Sequence, residues 1–201
     1  MKNKRIIARL DIKNKSVVKG VNMEGLRVIG HPQSLANSYY KNGIDELLYM
    51  DVVASLYDRN GLTDIVRETA KEVFVPISVG GGIRTVSDVD ELLAVGADKI
   101  TVNTAAVKNL KFINEIAMKY GSSTVVSAIE TLKIDGDYFV LTDCGREFSN
   151  IKVCDWIKQV QGEGAGEIII SSISKDGTGE GFDYEIIDKI TNQVFIPVCV
   201  G

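Results

Sequence analysis

Residues 73–80 of the chain read Val-Phe-Val-Pro-Ile-Ser-Val-Gly, and residues 194–201 read Val-Phe-Ile-Pro-Val-Cys-Val-Gly, 121 positions later. Two further matches occur at nearly the same spacing: residues 45–50 with residues 166–171, and the carboxylate of Asp11 with that of Glu130. Three aligned segments at nearly one spacing indicate an internal duplication, because a single shared octapeptide could arise by chance. The chain is therefore interpreted as two copies of one structural unit.

Strands and helices alternate throughout the sequence. Short, continuous apolar runs predict seven strands, at residues 6–11, 46–51, 76–80, 99–103, 124–130, 167–172 and 196–200. Such runs are typical of parallel strands covered on both faces. Helical patterns lie between them, at residues 32–42, 62–73, 87–95, 110–120, 153–162 and 184–192, with Ser87 expected as the N-cap of the third.

The alternation predicts an α/β fold, either a barrel or a doubly wound sheet. Two copies of a four-(βα) unit give eight units, so the repeat favours a (βα)8 TIM barrel built from two half-barrels. The second copy ends at Gly201, at the point that corresponds to Gly80 in the first. We expect one barrel domain over residues 1–201, incomplete at its C-terminus and lacking the last helix, strand and helix.

Composition excludes several classes of protein. Of the 201 residues, 45% are hydrophobic and 25% charged, and the formal net charge of −4 gives no reason to expect a nucleic acid partner. No stretch approaches the ~20 apolar residues of a membrane span. The cysteines at 144, 154 and 199 have no metal-ligand spacing, and Cys199 is interpreted as a small core residue. We expect a soluble cytoplasmic protein without a metal or cofactor.

Two carboxylates end predicted strands of the two repeats. Asp11 closes the first strand and Glu130 the fifth, and the carboxyl ends of the strands carry the chemistry of α/β barrels. Two such groups can form a general acid/base pair, with pKa values separated by their environments. The alternative is that each carboxylate caps a following turn or helix. The position at the rim favours the catalytic interpretation.

Two glycine-rich loops lie half a barrel apart. Gly80-Gly81-Gly82 lets backbone N–H groups approach an anion, and Asn103-Thr104 adds amide and hydroxyl donors after the next strand. The second loop, Asp176-Gly177-Thr178-Gly179, follows the sixth strand. The pair indicates a ligand with two phosphates at opposite ends, although turns also use glycine for positive φ.

Charges also stand at the opposite ends of the strands. Two bases and two acids start strands one, two, four and six, namely Arg5, Glu46, Lys99 and Glu167, and are called here the gate residues. They could form a closed ring of ion pairs at the bottom of a barrel. The alternative is ordinary solvated surface charge.

With these residues assembled, the sequence resembles the cyclase subunit of imidazole glycerol phosphate synthase, an enzyme of histidine biosynthesis, over its whole length. The segments that carry the resemblance are Arg5-Ile6-Ile7-Ala8-x-Leu10-Asp11, Val18-Lys19-Gly20, Gly43-Ile44-Asp45-Glu46-Leu47, Val79-Gly80-Gly81-Gly82-Ile83, Gly96-Ala97-Asp98-Lys99, Asn103-Thr104-Ala105-Ala106 and Asp176-Gly177-Thr178. The sister isomerase of the pathway shares the barrel and its repeat but not the gate residues.

The resemblance implies a (βα)8 barrel that pairs with a glutaminase as a heterodimer. It implies that ammonia from this partner cleaves a bis-phosphorylated formimino-carboxamide ribonucleotide, which closes an imidazole ring and releases aminoimidazole carboxamide ribonucleotide. Asp11 would then be the acid/base of ring closure, and Lys19 part of a loop that covers the substrate. The other implied roles are one phosphate site at Gly81, Gly82, Asn103 and Thr104, part of a second at Asp176 and Gly177, an ammonia gate at Arg5, Glu46, Lys99 and Glu167, and a partner contact at Asp98.

Two residues depart from the family pattern. The family has Asp where this chain has Glu130, and the extra methylene moves a carboxylate by ~1.5 Å, where a misplacement of about 1 Å can cost ~10²-fold in rate. Arg9 stands where the family often has a small residue inside the barrel. These departures keep two alternatives open, a related ammonia-using enzyme with a surface-sugar substrate and a non-catalytic barrel that binds and activates a glutaminase.

Overall fold

The computed structural model describes residues 4–54 and 61–201. These residues cluster into two compact units, the first formed by Met1–Lys19 with Arg27–Ile100 and the second by Gly20–Leu26 with Thr101–Gly201. The predicted single barrel domain over residues 1–201 stays a prediction.

The predicted alternation of strands and helices is present, but additional elements interrupt it. In chain order they are β1 (Ile7–Lys13), β2 (Ser16–Val21), β3 (Glu24–Gly30), α1 (Pro32–Lys41), β4 (Glu46–Asp51), α2 (Thr63–Thr69), β5 (Ile77–Gly80), α3 (Val86–Ala94), β6 (Lys99–Val102), α4 (Thr104–Lys108), α5 (Lys111–Tyr120), β7 (Val125–Ile134), β8 (Asp137–Thr142), β9 (Glu147–Lys152), α6 (Val153–Gly162), β10 (Glu167–Ser172), α7 (Tyr184–Thr191) and β11 (Val198–Val200). All seven predicted strands and all six predicted helices form, and the bounds of β4, β10 and α6 are as predicted.

In the first unit, β5, β4, β1 and β2 are hydrogen-bonded in that order. The pairs β4–β5 and β1–β4 are parallel, whereas β2 runs antiparallel to β1. Tyr49 points from β4 into the apolar layer under α1 and α2, where its hydroxyl lies 2.8 Å from Oγ1 of Thr69. Burial raises the pKa of Tyr49 to about 12, and the bond to Thr69 opposes this rise. The tyrosine hydroxyl therefore stays neutral and bonded inside the core.

In the second unit, β11, β10 and β7 form a parallel sheet, and β8 and β9 extend it in antiparallel fashion. The duplication is visible in these elements, because β4 and β10 cover corresponding residues and β11 corresponds to β5. It extends further than the sequence indicated. In each repeat, an antiparallel partner follows the strand that carries the repeat-related carboxylate, β2 after β1 and β8 after β7.

Four strands were missed by the sequence analysis, namely β2, β3, β8 and β9. β3 and β9 are mostly exposed, and β2 is buried only at Val17 and Val18, so a search for buried runs passes over these three. The short apolar run of β8, at residues 138–141, was overlooked. A turn signal was present at Asp135-Gly136, where φ is 48° and 85°, as a two-residue hairpin requires. The predicted strand ends at Asp11 and Glu130 are consequently wrong, because β1 runs on to Lys13 and β7 to Ile134.

The start of α3 also differs from the prediction. Thr85, in extended conformation, is the N-cap, and its hydroxyl accepts a hydrogen bond from the N–H of Asp88 at 3.2 Å. The carboxylate of Asp88 accepts the N–H of Thr85 at 2.9 Å, which completes a capping box. Ser87 therefore lies inside the first turn, and its prediction as the N-cap was wrong. Within the described residues, no helix is long and apolar enough to cross a membrane.

Candidate functional site

Asp11 lies on β1 and is 7% exposed. Its Oδ1 accepts a hydrogen bond from Nε of Arg9 at 2.7 Å, and its Oδ2 lies 3.4 Å from Nζ of Lys19 on β2. Both cations belong to the same unit as Asp11. Because β1 and β2 are antiparallel and Asp11 pairs with Val18, Lys19 on the returning strand comes within reach of the carboxylate. The hairpin that the sequence did not reveal thus brings Lys19 to Asp11.

Glu130, the repeat partner of Asp11, is also 7% exposed. Its Oε2 accepts one hydrogen bond from Nδ2 of Asn103 at 3.1 Å and one from the N–H of Gly145 at 2.9 Å. Gly145 lies in the turn between β8 and β9, which has positive φ at three consecutive residues, Asp143, Cys144 and Gly145. The tight turn points a backbone N–H at the carboxylate. An amide and a backbone N–H thus hold Oε2 of Glu130, and two cations lie at the carboxylate of Asp11.

Asn103 and Thr104, at the end of β6, were predicted as phosphate ligands. The side chain of Asn103 donates to Glu130 and, at 3.0 Å, to the carbonyl oxygen of Leu141. The hydroxyl of Thr104 accepts the N–H of Asp143 at 3.0 Å. Both side chains therefore support the Glu130 surroundings in this structure. Their role toward a phosphate stays a prediction.

The loop that follows β5 is shaped by its glycines. Gly81 has a φ of 96°, and a Cβ there would stand 2.2 Å from the carbonyl oxygen of Asp51. Gly82 also has positive φ, at 70°. Only glycine fits the first position, so close packing on β4 is one reason for the motif. Anion binding by Gly81 and Gly82 stays a prediction.

Asp51, at the end of β4, was missed as a candidate. It is 3% exposed, and its Oδ1 accepts the N–H of Val53 at 3.0 Å. A carboxylate that closes a parallel strand was the same signal that identified Asp11, and it would have found Asp51 as well. Its bond to Val53 gives Asp51 the role of a turn cap that Asp11 does not have.

Asp176 and Gly177 belong to the loop after β10, in the second unit. The carbonyl oxygen of Asp176 accepts the N–H of Asn22 at 2.8 Å. Gly177 has a φ of 72°, and a Cβ there would stand 2.1 Å from the carbonyl oxygen of Gly20. The loop is therefore packed against the turn between β2 and β3, and Gly177 is required for this close approach. A phosphate contact at either residue stays a prediction.

Three gate residues of the first unit are in contact. Oε2 of Glu46 lies 3.0 Å from Nη1 of Arg5 and 2.8 Å from Nζ of Lys99. Glu46 is 2% exposed, although it starts its strand. Its Oε1 accepts a hydrogen bond from the hydroxyl of Ser78 at 2.5 Å. A buried carboxylate with two cations and a hydroxyl is inconsistent with ordinary solvated surface charge.

Glu167, the fourth gate residue, lies at the start of β10 in the second unit and is 5% exposed. Its Oε1 accepts a hydrogen bond from the thiol of Cys199 at 3.0 Å. Cys199 is half-buried and bound to this carboxylate, so its prediction as a small core residue was wrong. The closed ring of four gate residues stays a prediction.

Asp98 is exposed and precedes β6. Its Oδ2 accepts the N–H of Ile77 at 2.8 Å, which ties the start of β6 to the start of β5. The predicted contact of Asp98 with a partner stays a prediction. In residues 4–54 and 61–201, no group of three or more His, Cys, Asp or Glu side chains could hold a metal ion.

Chemically, the first unit places polar groups at both ends of one strand pair. On one face of β1 and β4, Glu46 lies beside Ile7 at the amino end, and Asp11 lies beside Met50 at the carboxyl end. Alternate residues of a strand share a face, so Arg9 lies between these ends on the same face. The arrangement can exchange protons at Asp11 and can hold a polar or cationic species at Glu46.

Comparison with known proteins gives a consistent assignment. Residues 5–201 match the family described as "Histidine biosynthesis protein". The imidazole glycerol phosphate synthase subunit HisF of Legionella pneumophila is 51% identical over 202 residues, covering 100% of this chain and 95% of that protein. The same subunit of Sulfurisphaera tokodaii is 44% identical over 201 residues, covering 100% of this chain and 81% of that protein. That of Natranaerobius thermophilus is 44% identical over 198 residues, covering 98% of this chain and 79% of that protein.

Proposed function

This chain belongs to the histidine biosynthesis protein family, as a cyclase subunit of imidazole glycerol phosphate synthase, and we propose that Asp11 and Glu130 carry its chemistry. Its fold class is the α/β (βα)8 barrel that the internal repeat predicted. It is an enzyme of the cyclase/lyase type, and the remaining questions are which residues act and where its ammonia comes from.

The reaction joins ammonia to a bis-phosphorylated formimino-aminoimidazole carboxamide ribonucleotide. Imidazole glycerol phosphate and aminoimidazole carboxamide ribonucleotide are the products. Ring closure and release of the second product both require protons to be removed and supplied. Asp11 and Glu130 are assigned this acid/base work, because each is a nearly buried carboxylate held by nearby donors.

The observation that carries the proposal is the shared face of β1 and β4. It has the ion-paired Glu46 at one end and the ion-paired Asp11 at the other. Buried charges cost several kcal/mol or more unless they are paired, so packing alone does not explain a strand pair with a buried charge at each end. If a small polar reactant enters beside Glu46 and reacts beside Asp11, both buried charges have a function.

Substrate binding is assigned to the rim loops. Lys19 supplies a cation beside Asp11, and Gly81 and Gly82 supply a turn with positive φ next to β4. The proposed second phosphate site lies in the Asp176-Gly177 loop. To bind a phosphate, Asn103 and Thr104 would have to give up their present hydrogen bonds within the protein. The alternative is that they act on the reaction through Glu130.

A glutaminase subunit is the proposed source of ammonia, in a heterodimer with this chain. Glu46, Arg5 and Lys99 of the first unit and Glu167 of the second are the residues assigned to ammonia entry, and the exposed Asp98 to contact with the glutaminase. Support comes from the burial of both glutamates and from the cations on Glu46. A cytoplasmic location is part of the same proposal.

Turnover of the formimino ribonucleotide with ammonium chloride tests the proposal directly. Wild type should form imidazole glycerol phosphate, and Asp11→Asn should lose at least about 10²-fold in kcat, as expected for loss of a general acid/base. Glu130→Asp is the matched variant, because it restores the carboxylate of the family. A rise in rate in Glu130→Asp would mean that the longer side chain limits this enzyme.

Three results would contradict parts of the proposal. Full activity in Asp11→Asn would remove Asp11 from the chemistry. No activity in either wild type or Glu130→Asp would point to another substrate, such as a surface sugar. Stimulation of a glutaminase that survives Asp11→Asn together with Glu130→Gln, without turnover by this chain, would identify a non-catalytic activator.

A further inference from the structure

Ser78 of β5 and Glu46 of β4 form a buried hydrogen bond. The hydroxyl of Ser78 donates to Oε1 of Glu46 at 2.5 Å, and Ser78 is fully buried. Ser78 pairs with Leu48, two residues beyond Glu46, so it shares the face of β4 from which Glu46 projects. Arg5 and Lys99 contact the other carboxylate oxygen, Oε2. Ser78 therefore fixes which oxygen of Glu46 faces the cations.

The second unit repeats this arrangement with a thiol. The Sγ of Cys199 on β11 lies 3.0 Å from Oε1 of Glu167 on β10. Cys199 pairs with Ile169, two residues beyond Glu167. The donor again lies on the next parallel strand, two residues further toward the carboxyl end, and on the same face as the glutamate.

The two donors are equivalent positions of the duplication. Ser78 precedes Cys199 by 121 residues, as Glu46 precedes Glu167. Both pairs share one strand geometry, with the donor opposite the residue two positions beyond the glutamate. They differ in strength, because a hydroxyl is a good donor to a carboxylate and a thiol is a weak one.

We infer that Ser78 and Cys199 are positioning residues of the ammonia entrance, each of which holds one gate glutamate by a hydrogen bond. The inference rests on the proposed function of the gate residues. A held carboxylate keeps its cations in a fixed geometry, whereas a released one can rotate and rearrange them. Loss of either donor should therefore impair transfer of ammonia from the glutaminase more than it impairs the ring chemistry.

The test uses the complex of this chain with its glutaminase and measures two rates. One is turnover driven by glutamine, and the other is turnover driven by ammonium chloride in bulk solvent. Their ratio reports ammonia delivery and cancels effects on chemistry or on the amount of folded protein. A residue that acts only in folding would not move this ratio.

The expected results follow the strength of each donor. Ser78→Ala should lower the ratio by about tenfold and Cys199→Ala by about threefold, because a hydrogen bond to a charged group is the stronger of the two. Exchange of the two residue types, with Cys at position 78 or Ser at position 199, gives the sharpest comparison. Each exchange alters the hydrogen-bond donor with little change in side-chain volume. Ser78→Cys should lower the ratio by about threefold, and Cys199→Ser should hold it at or above the wild-type value.

Cys154→Ser supplies the matched control for thiol replacement. Cys154 is a half-buried free cysteine on α6, and its Sγ accepts a hydrogen bond from Nε2 of Gln193 at 3.3 Å, so the ratio should stay at the wild-type value. A wild-type ratio in Ser78→Ala and in Ser78→Cys would overturn the inference. Absence of ammonium-driven turnover in the wild type would instead be the failure of the proposed function.

Discussion

The side-chain amide nitrogen of Asn103 lies 3.1 Å from Oε2 of Glu130 and 3.0 Å from the carbonyl oxygen of Leu141. A single Nδ2 group thus connects the end of β6, the carboxylate on β7 and the backbone of β8. The same carboxylate oxygen also accepts the N–H of Gly145 at 2.9 Å. Glu130 is thus held in a defined hydrogen-bond environment by Asn103 at the end of β6 and Gly145 in the turn between β8 and β9.

Replacement of Asn103 should affect the chemistry more than the affinity. Without its amide, Glu130 loses the hydrogen bond from Asn103, and Asn103→Ala should lower kcat by about tenfold with a small change in KM. Kinetics with ammonium chloride measure both constants. In a Glu130→Asp background the shorter carboxylate no longer reaches the amide, so the same substitution should cost less. A large rise in KM with constant kcat would show that Asn103 serves the phosphate instead.

Removal of Arg9 should destabilise the protein through Asp11. The guanidinium is 21% exposed and lies 2.7 Å from a buried carboxylate oxygen. Arg9→Ala should lower the free energy of unfolding by about 1–3 kcal/mol at pH 7, because the buried carboxylate of Asp11 loses its ion pair with Arg9. Urea denaturation measures the loss. The loss should largely vanish in an Asp11→Asn background, and an additive double variant would contradict this account.

Lys19, the second cation that contacts Asp11, provides a comparison with Arg9. Its ammonium is 38% exposed and lies 3.4 Å from Asp11. Exposed pairs contribute about 0–1 kcal/mol, so Lys19→Met should cost less than Arg9→Ala. The same substitution should still raise KM if Lys19 contacts the substrate, as proposed.

Gly81→Ala should be strongly destabilising. The residue has a φ of 96°, and the new Cβ would stand 2.2 Å from a backbone oxygen of β4 that has no space to move. We expect a loss of about 2–4 kcal/mol, the sum of a backbone penalty of about 1–2 kcal/mol and a steric clash. Gly43→Ala is the matched control, because its φ is 83° and a Cβ there would meet nothing within 4 Å. Thermal melts should show the larger loss in Gly81→Ala, and equal losses would contradict the role of the contact.

Asp183, the N-cap of α7, should give a pH-dependent contribution to stability. Burial opposes ionisation of the carboxyl, but hydrogen bonds from Ser172 at 2.8 Å and Tyr138 at 2.9 Å outweigh it and lower the pKa of Asp183 below 3.8. Because the folded pKa is below the unfolded one, the contribution is fully present above the unfolded pKa of about 3.9 and is lost as pH falls through the folded pKa. The stability difference between wild type and Asp183→Asn should be constant from about pH 7 to 5 and shrink below about pH 4.5.

Salt distinguishes the partly buried Asp183 from an exposed carboxylate. The side chain of Asp137 is bonded to Lys152 at 2.7 Å on the surface, and this bond lowers the pKa of Asp137. The effect of Asp137→Asn should fade in high salt, because exposed pairs are screened, whereas the effect of Asp183→Asn should persist. Equal salt sensitivity of the two variants would mean that Asp183 is stabilised by long-range charge rather than by its hydrogen bonds.

Much of the fold could be predicted from the sequence, for a physical reason. Five of the predicted strands, β4, β5, β6, β7 and β10, are buried over most of their length, so each contains a continuous apolar run, and the helices between the strands carry clear stripes. β3 and β9 lack this signature, because strands that lie largely in solvent need no apolar run. The absence of β2 and β8 from the prediction moved the ends of β1 and β7 to Asp11 and Glu130, which in fact lie within strands.

The sequence by itself determined the duplicated α/β architecture, the repeat-related carboxylates Asp11 and Glu130, and the presence of charges at strand starts. These are properties of residue order and strand period. Only the tertiary structure decided which donor holds which carboxylate, as with Arg9 and Lys19 on Asp11, Asn103 on Glu130, and Cys199 on Glu167. Arg9 and Asp11 lie on one strand, but the other pairings depend on how separate strands are aligned, and a shift of one residue in register turns side chains to the opposite face.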